Sequence, residues 1–266
     1  MSTFIASLLV SIDGRWQEVD TLLQTASVNQ TTNADLHDVL CRSATVLTAA
    51  HLEGFIRDAA KAVVEDVNRF SEFRHLPRIP KRTFCRTFIP EDGKDANERT
   101  EKMVALLEGL ETPLTWESFL FDGRKENHKN PSPTMIEKVA RNFGIKKIFR
   151  LLASSKLDQV FSATPSEIAA LKQDLRSHLN STTAAYPYTV DASLFDLRDP
   201  GTTSGPRTLW ESFLDQLMLK RHRIAHGSAY DNVDSATELA ITKTKVEILQ
   251  LGVLLTLCHA IVNGPR

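Results

Sequence analysis

The stretch ADLHDVLCRSATVLTAAHLEGFIRDAAKAVVEDVNRF, residues 34–70, decides the fold class. Its apolar residues Leu36, Val39, Leu40, Val46, Leu47, Ala50, Ile56, Ala59, Val63 and Val67 recur at steps of three and four. That spacing follows the ~3.6-residue turn of an α-helix, whereas a strand alternates in twos. No proline interrupts the stretch, and Asn33 stands before it as a side-chain cap for the first free N–H groups. At ~1.5 Å per residue the helix is ~55 Å long, so it spans the whole domain or bends near Gly54.

Outward from this helix the chain stays helical. Strand-like alternation is rare, and Gly and Pro fall between periodic segments. A polar helix is expected from Lys94 to Leu110. Others follow at Thr134–Phe143, ended by Gly144, at Lys146–Ser154, and behind Ser162-Ala163-Thr164, with Pro165 in the first turn, to Leu179. Two strong helices close the chain, Arg207–His226, ended by Gly227, and Ser235–Val262. Pro77, Pro80 and Pro90 predict a loop, and Ser, Thr, Gly and Pro between Asn180 and Pro206 predict a surface loop. The expected architecture is one all-α helical domain over residues 1–266, with residues 75–160 as an insertion.

Composition narrows the function. The chain has 266 residues, 42% hydrophobic and 24% charged, the balance of a globular protein and not of a disordered one. Lys+Arg is 32 and Asp+Glu is 33, a net charge of -1, which excludes a globally basic nucleic-acid binder but leaves room for a local basic groove. Cys41, Cys85 and Cys258 are too few and too far apart for a disulfide scaffold or a clustered-cysteine zinc site. The apolar run Phe4–Ile12 is short and follows no Lys or Arg, unlike a signal peptide. Leu251–Val262, interrupted by Gly252 and His259, falls short of the ~20 residues a bilayer span needs. A cytoplasmic protein without a membrane segment is expected.

The chemistry concentrates in Lys220-Arg221-His222-Arg223-Ile224-Ala225-His226-Gly227. The stripe Trp210, Phe213, Leu214, Leu217 places Arg221 at the next inward position. A guanidinium there needs an anion, a subunit interface or a ligand phosphate. His226 stands just before Gly227, where the helix dipole favours a cation. Five residues apart on one helix, Arg221 and His226 diverge by ~140° and ~7.5 Å. They converge if the last turn unwinds or if two copies face each other across a two-fold axis. Such a pair suits RNA strand cleavage. Histidine takes the 2′-hydroxyl proton or protonates the leaving 5′-oxygen, and arginine holds the phosphate with paired donors. That chemistry requires no metal or other cofactor. The bland reading makes Arg221 an ion-pairing residue and His226 a helix cap. A third reading uses His222 and His226, four apart, as two ligands of a metal.

The string Arg221-His-Arg-Ile-Ala-His-Gly227, with a Leu-rich helix before it and a long helix after it, resembles the motif of HEPN-domain ribonucleases. Leu47-Thr-Ala-Ala-His-Leu-Glu-Gly-Phe-Ile-Arg57 and Asn130-Pro-Ser-Pro-Thr-Met-Ile-Glu137 running into Phe143-Gly-Ile145 look like the prokaryotic RiboL-PSP and MAE-type branch. The matches span residues 35–262. The resemblance implies an all-α HEPN-like bundle that forms a homodimer. It implies metal-independent endoribonuclease activity from Arg221 and His226 of both copies, with His222 as an auxiliary polar residue. It further implies a toxin or phage-defence effector, with an antitoxin or sensor protein as partner. One subgroup carries Tyr two residues after the His. Ser228 stands there in this chain, and Tyr230 is the nearest tyrosine, which argues against control by adenylylation.

Supporting residues are read from charge and spacing. Glu53, among Val46, Ala49, Ala50, Ile56 and Ala60, is expected to pair with Arg221 or orient a histidine, or else to pair with Arg57 one turn on. His51 reads as a packing residue. Lys220 and Arg223 flank the motif as RNA contacts. Between Arg69 and Phe88, six basic residues (Arg69, Arg74, Arg78, Lys81, Arg82, Arg86) face one acid, Glu72, and Phe70, Phe73, Phe84 and Phe88 interleave with them. This is the expected RNA surface, with Arg78, Lys81, Arg82 and Arg86 on phosphates and the rings on bases. Its alternative is a solvated basic loop. Lys138, Arg141, Lys146, Lys147 and Arg150 read as a charged helix face. A HEPN-like module that binds RNA or a partner without cleaving remains open, as does a purely structural helical protein.

Overall fold

The computed structural model describes residues 2–89, 95–120, 132–198, 201, 205–227 and 234–265. Among them every regular element is helical. The chain opens with α1, Phe4–Asn29, where sequence reading saw only a short apolar run. The run is the first part of an amphipathic helix whose buried residues, Ile5, Leu8, Leu9, Ile12, Trp16, Val19, Leu23 and Ala26, keep the helical spacing to its end. Thr3 caps it, accepting from the Ala6 N–H at 3.0 Å.

The long helix α2 runs over Ala34–Phe70 as expected, with Asn33 accepting from the Leu36 N–H at 3.1 Å. It continues through Gly54. The short connection 30–33 folds α1 back along it. Three contacts follow the antiparallel register: His37 Nδ1 to Ala26 O at 2.9 Å, Arg15 to Asp58 at 2.6 Å, and Phe4 N–H to Asp66 Oδ1 at 2.8 Å.

The middle of the chain carries α3 (Arg78–Arg86), α4 (Ala96–Glu108), α5 (Pro133–Asn142) and α6 (Ile148–Ala153). The predicted proline loop is thus corrected at α3. Pro77 caps this helix and Pro80 sits in its first turn, where a missing N–H costs nothing. Residues expected to form an insertion share the common core. Phe84, Phe119, Ile136, Phe143, Phe149 and Leu152 are buried in the same cluster as α1 and α2. Then come α7 (Pro165–Thr182), α8 (Leu209–Ala225) and α9 (Ala236–Asn263), each opened by a reciprocal cap: Thr164 with Glu167, Thr208 with Glu211, Ser235 with Glu238. The described part of the expected surface loop is anchored. Tyr188, Val190, Phe195 and Leu197 are buried; Tyr188 donates to Asp66 of α2, and Phe195 packs edge-on to His178 of α7.

Helix α9 is the core element. It is long and apolar enough to cross a membrane, at a mean hydropathy of 1.7, yet 78% of that window is buried inside the bundle. It exceeds the interrupted run Leu251–Val262 because the helix starts much earlier. Polar ties fix its neighbours: Trp16 donates to Gln250 at 3.0 Å, Lys243 bonds Asp20 at 2.7 Å, and Lys172 bonds Glu247 at 2.9 Å. Gly252 lets a 3-10 turn at Lys156–Phe161 approach α9, since a Cβ there would lie 2.7 Å from Leu157 Cδ1.

Candidate functional site

Helix α8 delivers the motif. The capping box at Thr208 fixes its start, and Trp210, Leu214 and Leu217 anchor it in the core. The stripe then leaves the core: Arg221 and Ile224 are half-buried, while His222, Arg223 and His226 are exposed. The helix ends at His226, whose N–H donates to His222 O at 3.0 Å, and Gly227 follows with φ 68°. That left-handed turn is cheap only for glycine. The cap rests on backbone bonds, so the His226 ring itself is available. Its centroid lies 4.2 Å from that of His222.

The motif borders a groove of about 530 Å³ lined by Leu22 of α1, by Val39, Arg42, Ser43, Val46, Leu47 and Ala50 of α2, and by Ile224 and Gly227. Sequence reading missed Leu22, Arg42 and the groove itself, because its walls come from three helices. The signal available was Arg42 at helical spacing between Val39 and Val46. Glu53, expected to face the core, lies on the continuation of the groove face, one turn past Ala50, and is half-buried. Among the described residues it forms no ion pair with Arg221 or Arg57. Its expected pairing is therefore corrected: Val46 and Ala50 border a groove, which spares the carboxylate the desolvation that would demand a partner.

The flanking basic residues divide. Lys220 is held by Asp234, with Nζ 2.5 Å from Oδ2, in place of the open phosphate contact expected of it. Arg223 stands exposed beside the motif. Within the stretch Arg69–Phe88 the structure corrects the expected role of Lys81 and bonds Arg78, Arg82 and Arg86 to α4. Lys81 is 5% exposed and points inward, donating to Glu108 at 2.6 Å and to Arg74 O at 2.8 Å. Glu101 pairs with Arg78 at 3.1 Å and with Arg82. Arg82 and Arg86 share the Asn97 carbonyl, at 3.2 and 3.1 Å. The acids come from α4, distant in sequence and adjacent in space. Phe73 and Phe84 are core residues. Arg86 and Phe88 keep exposed positions.

Burial pushes the Cys85 thiol up to about 11 and raises Cys41 and Cys258 as well, which removes them as nucleophiles near neutrality. Among the described residues no group of three or more His, Cys, Asp or Glu is placed to hold a metal. Burial lowers the His51 pKa, and its ring packs edge-on to Trp16 at 5.5 Å, a packing role.

A family model described as RiboL-PSP-HEPN matches residues 11–263. Comparison with curated proteins and with solved structures gives no match.

Proposed function

Because this chain belongs to the RiboL-PSP-HEPN family, we propose that it is a metal-independent endoribonuclease whose reaction is carried by Arg221 and His226. The observation that carries the reading is the placement of both residues on the end of α8, outside the core, with the His226 ring accessible.

In the reaction we assign, neutral His226 takes the proton of an RNA 2′-hydroxyl. The 2′-oxygen attacks the adjacent phosphorus, the P–O5′ bond breaks, and a cyclic phosphate forms. The 5′-oxygen takes a proton from a histidinium, and Arg221 donates to the phosphate oxygens as charge builds on them. One His226 cannot stand on both sides of the phosphorus at once. A homodimer supplies the second copy, and the groove bordered by Val39, Val46, Leu47 and Ile224 is the face we assign to it. His222, against the His226 ring, serves as the auxiliary polar residue, and Arg223 contacts the RNA backbone.

The physiological role that follows from the family reading is a toxin or phage-defence effector in the cytoplasm, held in check or triggered by a protein partner. The test is incubation with total RNA in EDTA, beside His226→Ala and Arg221→Ala. Cleavage by the parent alone is expected. Equal cleavage by both variants refutes the assignment, and binding without cleavage at any concentration of the parent makes the chain a recognition module.

A further inference from the structure

Helices α3 and α5 meet at one edge of the bundle. Thr83 of α3 donates to the Asn142 carbonyl at the end of α5, at 3.0 Å, and Gly144 turns the chain past Ile79 with φ 99°. This packing sets four cations on the edge. Arg141 lies in the last turn of α5, Lys146 and Lys147 precede α6, and Arg86 follows Thr83 by about one turn of α3. Arg86, Arg141 and Lys146 are exposed and Lys147 is half-buried. Arg86 makes one bond to Asn97, at 3.1 Å. Among the described residues none of the four forms an ion pair. Elsewhere in the chain cations are matched to carboxylates: Arg15 to Asp58, Lys102 to Glu98, Lys172 to Glu247 and Arg176 to Asp13. The one acid between residues 132 and 150 is Glu137. It is half-buried, its Oε1 accepts from the Phe149 N–H at 3.2 Å, and it attracts Lys147 without pairing with it. Glu101 of α4 is engaged by Arg78 and Arg82.

We propose that Arg86, Arg141, Lys146 and Lys147 form a surface that holds the phosphodiester backbone of an RNA substrate, separate from the cleavage motif. This rests on the ribonuclease reading above. Unmatched cations hold a phosphate chain by releasing its counterions, without regard to base sequence. The fold itself gains little from this charge. Arg141 complements the C-terminal end of the α5 dipole, but Lys146 and Lys147 stand at the start of α6, where the dipole favours anions. A protein partner fits less well. Protein interfaces bury an apolar centre and are depleted in lysine. The described residues of α5 and α6 expose no large apolar side chain. The surface also has a position. Helices α5 and α6 pack against α8, and the Arg150 guanidinium of α6 donates to the Pro206 carbonyl just ahead of it. From there α8 runs 17 residues, ~25 Å, to the motif at its far end. A strand engaged at both places covers ~7 nucleotides at ~3.4 Å per phosphate, so the surface selects for length and not for sequence.

The test uses full-length His226→Ala protein as a non-cleaving background, with fluorescein-labelled oligo-U and oligo-A of ~20 nucleotides across a salt series. Arg141→Gln with Lys146→Gln and Lys147→Gln is expected to lower the slope of log affinity against log salt by ~2, at ~0.7 per lost contact. Binding should weaken ~10- to 100-fold near ~0.1 M salt, equally for both sequences. Arg141→Lys with Lys146→Arg and Lys147→Arg keeps the charges and is expected to keep the slope. Arg141→Gln with Lys146→Gln alone, both at exposed positions, is expected to lose ~1.4 of the slope, so a folding defect at half-buried Lys147 does not carry the result. With His226 present, the triple variant raises KM for the ~20-mer, keeps kcat, and treats a ~3-mer as the parent does. An unchanged slope and KM, with the parent still cleaving, overturns the surface alone. A loss confined to one of the two sequences overturns it too. Loss of polyglutamate binding, with RNA affinity retained, assigns the cations to an acidic protein and overturns it. No binding by His226→Ala and no cleavage by the parent remove the ribonuclease reading and the surface together.

Discussion

Replacing Lys81 by Ala separates charge that is read by RNA from charge that holds the fold. Lys81 is nearly fully buried on α3, and its ammonium donates to Glu108 of α4 and to the Arg74 carbonyl. Truncation leaves that carbonyl without its donor and the carboxylate without its cation. Breaking a fully buried pair costs ~3–5 kcal/mol. The Glu108 side chain is 40% exposed, so water recovers part of the loss. About 2–3 kcal/mol remains. For a chain of this size each kcal/mol moves Tm by ~2–4 °C, so a drop of roughly 5–10 °C is expected. Arg86→Ala is the control, because its described bond is a single one to Asn97 at 3.1 Å and its position is exposed. Its stability should stay within ~0.5 kcal/mol of the parent.

The assays are thermal unfolding and RNA affinity across a salt series on the same preparations. A lost phosphate contact lowers the slope of log affinity against log salt by ~1. Lys81→Ala is expected to lower Tm and leave the slope alone. A Tm unchanged with the slope reduced would refute the reasoning, and would return Lys81 to the RNA surface that the sequence pattern predicts.

His226→Ala should reduce cleavage by ~10²- to 10⁴-fold, the range for losing an acid/base group, with stability within ~0.5 kcal/mol of the parent; single-turnover cleavage and a melting curve check both. Asp158→Asn is expected to raise Tm at pH 7 and leave it unchanged at pH 3. Burial holds the Asp158 carboxyl above its ordinary value and leaves Oδ1 without a partner, so its contribution is fully present below ~3.9 and is lost as pH rises through the higher folded value. A Tm gain equal at both pH values would be inconsistent with that sign. Gly252→Ala should destabilise by ~1 kcal/mol in urea unfolding: overpacking against Leu157 and Leu152, at 2.7 and 3.1 Å, costs ~2 kcal/mol and outweighs a helix-propensity gain of ~1 kcal/mol. Val39→Asp, at a position 50% exposed, should leave the monomer fold intact. It should halve the mass seen by light scattering and abolish cleavage, and an active dimeric variant would place the interface elsewhere.

The fold was legible where one local signal decided it. Asn33 with an uninterrupted period set both ends of α2, and the Thr164-Pro165 pair set the start of α7. Helix α1 carried an equally regular period, but Asp13, Gln17, Glu18 and Asp20 interleave with its later apolar residues, and the run Phe4–Ile12 alone was too short to mark a helix of 26 residues. Helix α3 was hidden because proline breaks a helix interior but not a first turn. The motif was legible because Arg221 and His226 are contiguous in sequence. The groove was not, since Leu22, Arg42 and Ile224 meet only after α1, α2 and α8 pack. Asp66 and Tyr188 bond across 122 positions, which no periodicity reports.

The position of Arg221 explains why this division falls where it does. Read as a stripe, Trp210, Leu214, Leu217, Arg221, Ile224 suggests a charge driven into the core, which would need a partner to survive there. In the structure the stripe crosses the edge of the bundle between Leu217 and Arg221, so the same face serves packing on one side and solvent on the other. The residues assigned to chemistry carry little of the core, and those that carry the core take no part in the chemistry. Substitution at the motif therefore tests activity without unfolding the protein. The same geometry leaves the two histidines of one α8 end, His222 and His226, ring against ring on one side. In the reaction proposed above, acid and base on opposite sides of a phosphate call for a second α8 end, so the groove beside Ile224 and the role proposed for His226 stand or fall on the same interface.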